Sequence, residues 1–321
     1  MVEKADHTPL ISVCVPAYKH PEYVARLLDS LVSQTFSDFE VVLTDDSPDT
    51  SVQELVQQYQ EKLTLRYHRN SPALGTPANW NEAMRRAKGQ WIKLIHDDDW
   101  LAAPDSLAHY VAAIEENEHA AFLISSYRNV TGQSSSVAVH PSPYRLRALQ
   151  QNPVTLLSKN IIGPPSVVIH RNDQKHFYDE NLRWLVDMDF YIRYLEHHRA
   201  VHIDKELVNI GLNELQVTKS SSLVREVEIP EHFHVLEKTG ISQLRNLLVY
   251  DAWWRLFRNL QIRNASEIAA SGYQGELPAV LLSMINFQTR YPLRLLRIGI
   301  VSKALMLSSY TYNQVAGNFA G

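Results

Sequence analysis

The sequence predicts an α/β protein: a mostly parallel sheet flanked by helices, then an α-helical C-terminal extension. Three observations carry that prediction. β-type and helix-type periodicities alternate through the first 130 or so residues, the opening strand is apolar on both faces, and from about Pro230 only the helical period remains.

Leu10–Ala17 is a nearly unbroken apolar run, as a parallel strand covered on both sides requires. Pro21–Gln34 follows with Val24, Leu27, Leu28 and Leu31 at helical spacing and a proline tolerated in the first turn. The unit then repeats. Phe39–Asp45 reads as strand, Ser51–Tyr59 as helix, Thr64–His68 as strand, Pro77–Ala87 as helix and Trp91–His96 as strand, with Ser106–Glu116 and Ala121–Tyr127 closing the series. Residues 131–143 read as a turn-rich polar loop with poor order. Asp187–Glu196 is an amphipathic helix, and Ala200–Ile203 and Glu206–Ile210 are short strands. In the extension, Ile241, Leu244, Leu248, Trp254, Phe257 and Leu260 form a core stripe. The predicted division is 1–225 as one α/β domain, with halves at about 10–128 and 129–225, and 226–321 as a helical region.

Composition narrows the class. Hydrophobic residues make up 45% and charged residues 21% of 321, which excludes disordered, collagen-like and coiled-coil chains. A single cysteine, Cys14 in mid-strand, allows no internal disulfide and no thiolate zinc site. Met1–Pro9 lacks an apolar core, so no secretory leader is expected, and a cytoplasmic location fits the cysteine usage. No run approaches the roughly 20 apolar residues of a membrane span. The net charge of −4 supplies no basic field for nucleic acid, which is not an expected partner. That charge is uneven: Leu277–Gly321 holds Arg290, Arg294, Arg297 and Lys303 and no acid, so the remainder carries −8. Arg290, Arg294 and Arg297 at spacings of four and three, beside Leu293, Leu296 and Ile300, describe a basic amphipathic helix. Over 290–307 it would lie on an anionic membrane surface or pack on protein, including a second subunit.

Carboxylates close two strands: Asp45-Asp46-Ser47 and His96-Asp97-Asp98-Asp99-Trp100. Open parallel sheets bind ligands beyond the carboxyl ends of their strands. Two like charges about 4 Å apart repel by about 4 kcal/mol at an effective dielectric near 20. Such a cluster calls for water, protonation or a cation, and Mg²⁺ typically pairs one or two carboxylates with substrate phosphates. Between Pro16 and His20 there is no glycine, so neither the dinucleotide fingerprint nor a P-loop is present. Glycine-loop amides are therefore not the phosphate binders.

Val13-Cys14-Val15-Pro16-Ala17-Tyr18, Asp45-Asp46-Ser47, Asn79-Trp80-Asn81 with Ala87-Lys88-Gly89, and His96-Asp97-Asp98-Asp99-Trp100-Leu101, in this order and spacing, resemble the family 2 glycosyltransferases of GT-A, Rossmann-like fold over about residues 10–215. The resemblance implies an inverting transfer of a hexosyl or deoxyhexosyl group from a nucleoside-diphosphate sugar to a hydroxyl of a glycan or lipid-linked acceptor, in polysaccharide biosynthesis, with Mg²⁺ or Mn²⁺. It also implies donor contacts at Pro16, Ala17, Tyr18, Asp46 and Asn79, with Asp97 on the ribose, Asp98 on the metal and Asp99 as further ligand or support. His96 stands where the motif's commoner form has an acid. The family's second acidic pair appears as Val186-Asp187, leaving Asp187 as the catalytic base; an Asp near a helix N-terminus is favoured as the anion, the form that accepts a proton. Ser166, Asp189, Arg193, Asn213 and Gln216 fall where acceptor or phosphate contacts are expected. The replaced acids keep a second reading open, a catalytically inactive nucleotide-sugar or glycan-binding scaffold.

Overall fold

β1 (Ile11–Ala17) is buried at every position and forms the centre of a parallel array. It pairs with β2 (Phe39–Asp45) on one side and β4 (Trp91–Leu94) on the other, while β3 (Leu65–Arg69) adds outside β2. The computed structural model describes residues 7–132, 135–212 and 223–319. In the complete sheet the order is β3-β2-β1-β4-β8-β6-β9-β5, with β7 paired to β6; β5 is Trp100–Leu101, β6 Phe122–Thr131, β7 Ser135–Val139, β8 Val168–Arg171 and β9 Ala200–Gly211. It is mixed. The four leading strands are parallel, and β8, inserted antiparallel between β4 and β6, ends that register.

The crossover helices are α1 (Pro21–Val32), α2 (Ser51–Gln57), α3 (Ala78–Arg86) and α4 (Ser106–Glu116). α1 buries Val24, Leu27, Leu28 and Leu31, the stripe its sequence spacing predicts. Further helices are α5 (Pro143–Gln151), α6 (Val186–Leu195), α7 (Arg225–Thr239), α8 (Leu247–Asn259), α9 (Ala265–Ala270), α10 (Ala279–Thr289), α11 (Leu293–Leu296) and α12 (Gly299–Val315).

The chain forms two compact units. The first comprises Met1–Gln150, Ile161–Asn181 and Phe190–Glu214; the second comprises Gln151–Asn160, Leu182–Asp189 and Leu215–Gly321. Within the second, Trp253, Trp254 and Phe257 of α8 form the core, and Arg255 donates to the carbonyl of Ser158 at 2.5 Å, tying in the 151–160 stretch.

Three sequence expectations are corrected. The predicted loop at 131–143 contains β7, because Val137 and Val139 continue a two-stranded ladder with β6. The two short strands after Ala200 are one strand, β9, whose pairing with β6 passes a bulge at Ser125–Ser126. The basic amphipathic helix breaks: Ile298 is extended at φ −78°, ψ 112°, so α11 ends and α12 begins at Gly299, a poor helix former.

Candidate active site

The C-terminal ends of β1, β2 and β4 meet in the first unit. Beyond Ala17 the chain turns through left-handed Lys19 (φ 62°) and His20 (φ 48°), so no glycine is used to leave the strand. Two side chains pin that turn. The Tyr18 amide donates to Asp97 Oδ2 at 3.0 Å and the Lys19 amide to Ser47 Oγ at 2.7 Å, joining the end of β1 to those of β4 and β2.

Asp46 is 5% exposed, and its carboxylate organises the segment after β3. Oδ1 accepts Asn70 Nδ2 at 2.7 Å and the Leu74 amide at 3.0 Å, while Oδ2 accepts the Gly75 amide at 2.7 Å. A carboxylate offers about four acceptor sites, so roughly one remains for a ligand. Asn79 links Asn70, Ala17 and Thr44 through its own amide. Pro16 and Ala17 are buried in β1. Tyr18, by contrast, is 52% exposed and lines a cleft of about 540 Å³ with Asp46, Arg69 and Asn70, within the size range of ligand pockets. Of the expected donor contacts, Tyr18 and Asp46 thus line that cleft, whereas Pro16, Ala17 and Asn79 are buried.

At the end of β4, one ligand atom each from His96, Asp98 and Asp99 lies within 4.8 Å of the others. His96 packs on Trp80 with ring centroids 4.6 Å apart, and its Nε2 is buried without a hydrogen-bond partner. Burial holds the imidazole below its ordinary pKa, with Asp98 opposing, so the ring is neutral. Burial pushes Asp97 up to about 7, against the Tyr18 amide and with Asp98 adding to the rise. Asp99 is raised well above the usual carboxylate range by burial and then by Asp98. An orphaned imidazole nitrogen beside crowded carboxylates fits a divalent cation, which would lower the cost of ionising them. His96, the departure from the expected acid, thereby joins the metal-capable set. Its nitrogen could serve as a ligand beside Asp98 and Asp99, which the sequence signalled only by its place in the motif.

The support of this turn is buried. The Asp99 carboxylate accepts the Gly211 amide at 3.0 Å and the Ser166 hydroxyl, and Ser166 Oγ also accepts the His96 amide at 3.0 Å. Ser166 is 0% exposed, and its hydroxyl serves the acidic turn from within. Beneath it Lys93, fully buried in β4, donates to the carbonyls of Ser166 and Val168 and to Tyr110 Oη. Arg26 lies 3.7 Å over the Trp100 ring and donates to the Asp98 carbonyl at 2.6 Å.

The second unit holds Asp187, half-buried in the first turn of α6, with its carboxyl pushed by burial up to about 6. Glu231 of α7, which sequence reading missed, accepts the amides of Arg183, Trp184 and Leu185 at 2.9, 2.9 and 2.8 Å and so fixes the entry to α6. No local pattern flags it, since its partners lie 46–48 residues away. Asp189 is 1% exposed and ion-paired to Lys238 at 2.8 Å. Arg193, in the first unit, donates to the Phe177 carbonyl at 2.7 Å. Asn213 and Gln216 lie outside the described residues.

Comparison with known proteins decides the family. The model of glycosyl transferase family 2 matches residues 12–173, half of the chain. The chain belongs to glycosyl transferase family 2. The putative colanic acid biosynthesis glycosyl transferase WcaA of Escherichia coli K12 is 26% identical over 289 residues, 82% of this chain and 97% of WcaA. The poly(ribitol-phosphate) beta-N-acetylglucosaminyltransferase TarS of Staphylococcus aureus is 32% identical over 156 residues, 47% of this chain but a quarter (25%) of TarS. Among solved structures, TarS 1–349 in complex with UDP-GlcNAc superposes with a TM-score of 0.56 at 20% identity, covering 95% of this chain and 91% of that one. The mannosyltransferase PcManGT of Pyrobaculum calidifontis, in complex with GDP-Man and Mn²⁺, gives 0.55 at 16%, covering 97% and 88%. The chain is therefore a glycosyltransferase of GT-A fold, as its motifs lead one to expect.

Proposed function

We propose that this glycosyltransferase inverts: it moves a hexosyl or deoxyhexosyl group from a nucleoside-diphosphate sugar to a hydroxyl of a glycan or lipid-linked acceptor, with Mg²⁺ or Mn²⁺. One observation carries the donor half: His96, whose Nε2 is buried without a hydrogen-bond partner, offers a ligand atom within 4.8 Å of those of Asp98 and Asp99. That neighbours of the same fold are solved with UDP-GlcNAc and with GDP-Man and Mn²⁺ supports the reading. His96, Asp98 and Asp99 would hold the cation, which when bound supplies Lewis-acid neutralisation of the diphosphate. Tyr18 offers its ring to the nucleobase, Asp46 its remaining acceptor site, and Asp97 a carboxylate to the ribose. The donor contacts fall in residues 10–128, the acceptor contacts in 129–225, and the helical region 226–321 buttresses α6 through Glu231.

Asp187 is the base. Held at the N-terminal turn of α6 with an elevated pKa, it takes the acceptor hydroxyl's proton as that oxygen attacks the anomeric carbon opposite the leaving diphosphate. Calorimetric titration with UDP and GDP, with and without Mn²⁺, followed by transfer assays, tests both halves. Asp187→Asn should bind nucleotide as wild type does and lose about 10²–10⁴ in transfer. Asp98→Ala should lose Mn²⁺-dependent binding and transfer together. Metal-independent nucleotide binding unchanged by Asp98→Ala would remove the metal site, and undiminished transfer by Asp187→Asn would remove the base.

A further inference from the structure

Helix α12 is inside out for a helix in water. Its buried stripe is Ser302, Met306, Ser309 and Asn313. Those polar groups are spent inward: Ser302 Oγ accepts Trp254 Nε1 at 3.0 Å, and Ser309 and Asn313 bond the Tyr250 hydroxyl at 2.7 and 3.0 Å. On the opposite side Ile300, Ala304, Leu307, Thr311 and Val315 recur in steps of four, three, four and four, a single stripe about 22 Å long at 1.5 Å per residue. Ile300 is 87% exposed, Val315 85% and Leu307 47%. Even the hydroxyls here turn back, Ser308 donating to the Ala304 carbonyl and Thr311 to that of Leu307. Monomeric proteins rarely present such a stripe to water without a partner.

The charge around it selects the partner. Just before α12, Leu295 and Ile298 are exposed, and so are Arg290, Arg294 and Arg297. Among the described residues Arg294 and Arg297 have no acidic partner, and Leu277–Gly321 contains no Asp or Glu. Lys303 is neutralised by Asp251 at 2.5 Å, so the free positive charge sits with the arginines. A two-fold contact between copies through this segment would meet the same residues, and Leu277–Gly321 offers no acid to the arginines. An anionic lipid surface complements both the charge and the apolar stripe, and among the described residues no helix is long and apolar enough to cross a membrane.

We propose that the outer face of α12 with the arginines of 290–297 docks on an anionic bilayer, the stripe lying in the headgroup layer parallel to the surface. The inference goes beyond the donor chemistry and does not depend on it, because partition rather than turnover reads it. Full-length protein should float with phosphatidylglycerol-containing phosphatidylcholine vesicles, stay behind with pure phosphatidylcholine, and be released by salt. A base near an anionic surface contributes roughly a factor of five, so Arg294→Gln with Arg297→Gln should lower partition about 30-fold. Ile300→Ser with Val315→Ser should lower it at least about tenfold, with an unchanged circular dichroism spectrum, since both side chains face solvent. Failure to float with anionic vesicles, or equal salt-insensitive flotation with both kinds, overturns the proposal. So does a dimer in sedimentation velocity that Ile300→Ser with Val315→Ser disperses, which would make a second copy the occupant.

Discussion

Gly211 closes the acidic turn from β9, and replacing it by alanine perturbs the site while leaving His96, Asp98 and Asp99 unchanged. A Cβ built there falls inside 3.0 Å of the Asp98 carbonyl oxygen, and sits 3.3 Å from that carbonyl carbon and 3.2 Å from Arg26 Nη2. Ordinary contact begins near 3.4 Å, so the Asp98 peptide and β9 must separate by about 1 Å. One hydrogen bond spans that gap, Gly211 N–H to Asp99 Oδ1 at 3.0 Å, and a second, from Arg26 to the Asp98 carbonyl at 2.6 Å, holds the peptide that must move. Overpacking costs about 1–3 kcal/mol, and each weakened bond to a charged group adds to that, so a loss of about 2–4 kcal/mol in stability is expected. The larger effect is on the cation. Outer partners of metal ligands are worth about 10–100-fold in affinity, and Gly211→Ala should weaken Mn²⁺-dependent binding of UDP or GDP by that factor in a calorimetric titration. Wild-type affinity and wild-type unfolding temperature in Gly211→Ala would refute the reasoning that this contact sets the turn.

Other outcomes follow from the same geometry. With Asp187 pushed up to about 6 by burial and active as the ionised base, kcat/KM should be full well above pH 6 and fall about tenfold per unit below it; Asp187→Asn should lose that inflection in a pH–rate profile. Lys93→Met keeps the bulk but leaves the Ser166 and Val168 carbonyls without their donor, at about 1–3 kcal/mol each in denaturant unfolding, and should also weaken Mn²⁺-dependent nucleotide binding. Glu231→Ala strips three amides ahead of α6 of their acceptor and should cost several kcal/mol by the same measure, whereas Glu231→Gln, which retains an acceptor oxygen, should cost less. His96→Ala should raise the Mn²⁺ concentration needed for half-maximal nucleotide binding, and an unchanged Mn²⁺ dependence would exclude the imidazole from the cation site.

Much of this protein is written locally. The apolar run of β1, the 3.6-residue stripe of α1 and the carboxylates following β2 and β4 are short-range patterns, and β1, α1 and β2 begin and end within a few residues of their predicted limits because backbone preference and burial agree there. The family follows from the same segments, since its motifs are contiguous residues at strand ends. Partners remote in sequence were decided elsewhere. Ser166 reads as a turn residue and Glu231 as one more acid on a helix, yet one braces Asp99 and the other holds the approach to Asp187. The join of Ala200–Ile203 with Glu206–Ile210 needed β6 alongside to supply the hydrogen bonds, and the basic tail reads as one amphipathic helix until Ile298 turns extended. The sequence alone settles the strand–helix alternation through the first hundred or so residues and which carboxylates stand at the strand ends. Only tertiary packing decides which of those polar groups are consumed by buried neighbours and which, like His96 Nε2, are left unpartnered, because hydrogen bonding and desolvation depend on groups brought together from distant parts of the chain.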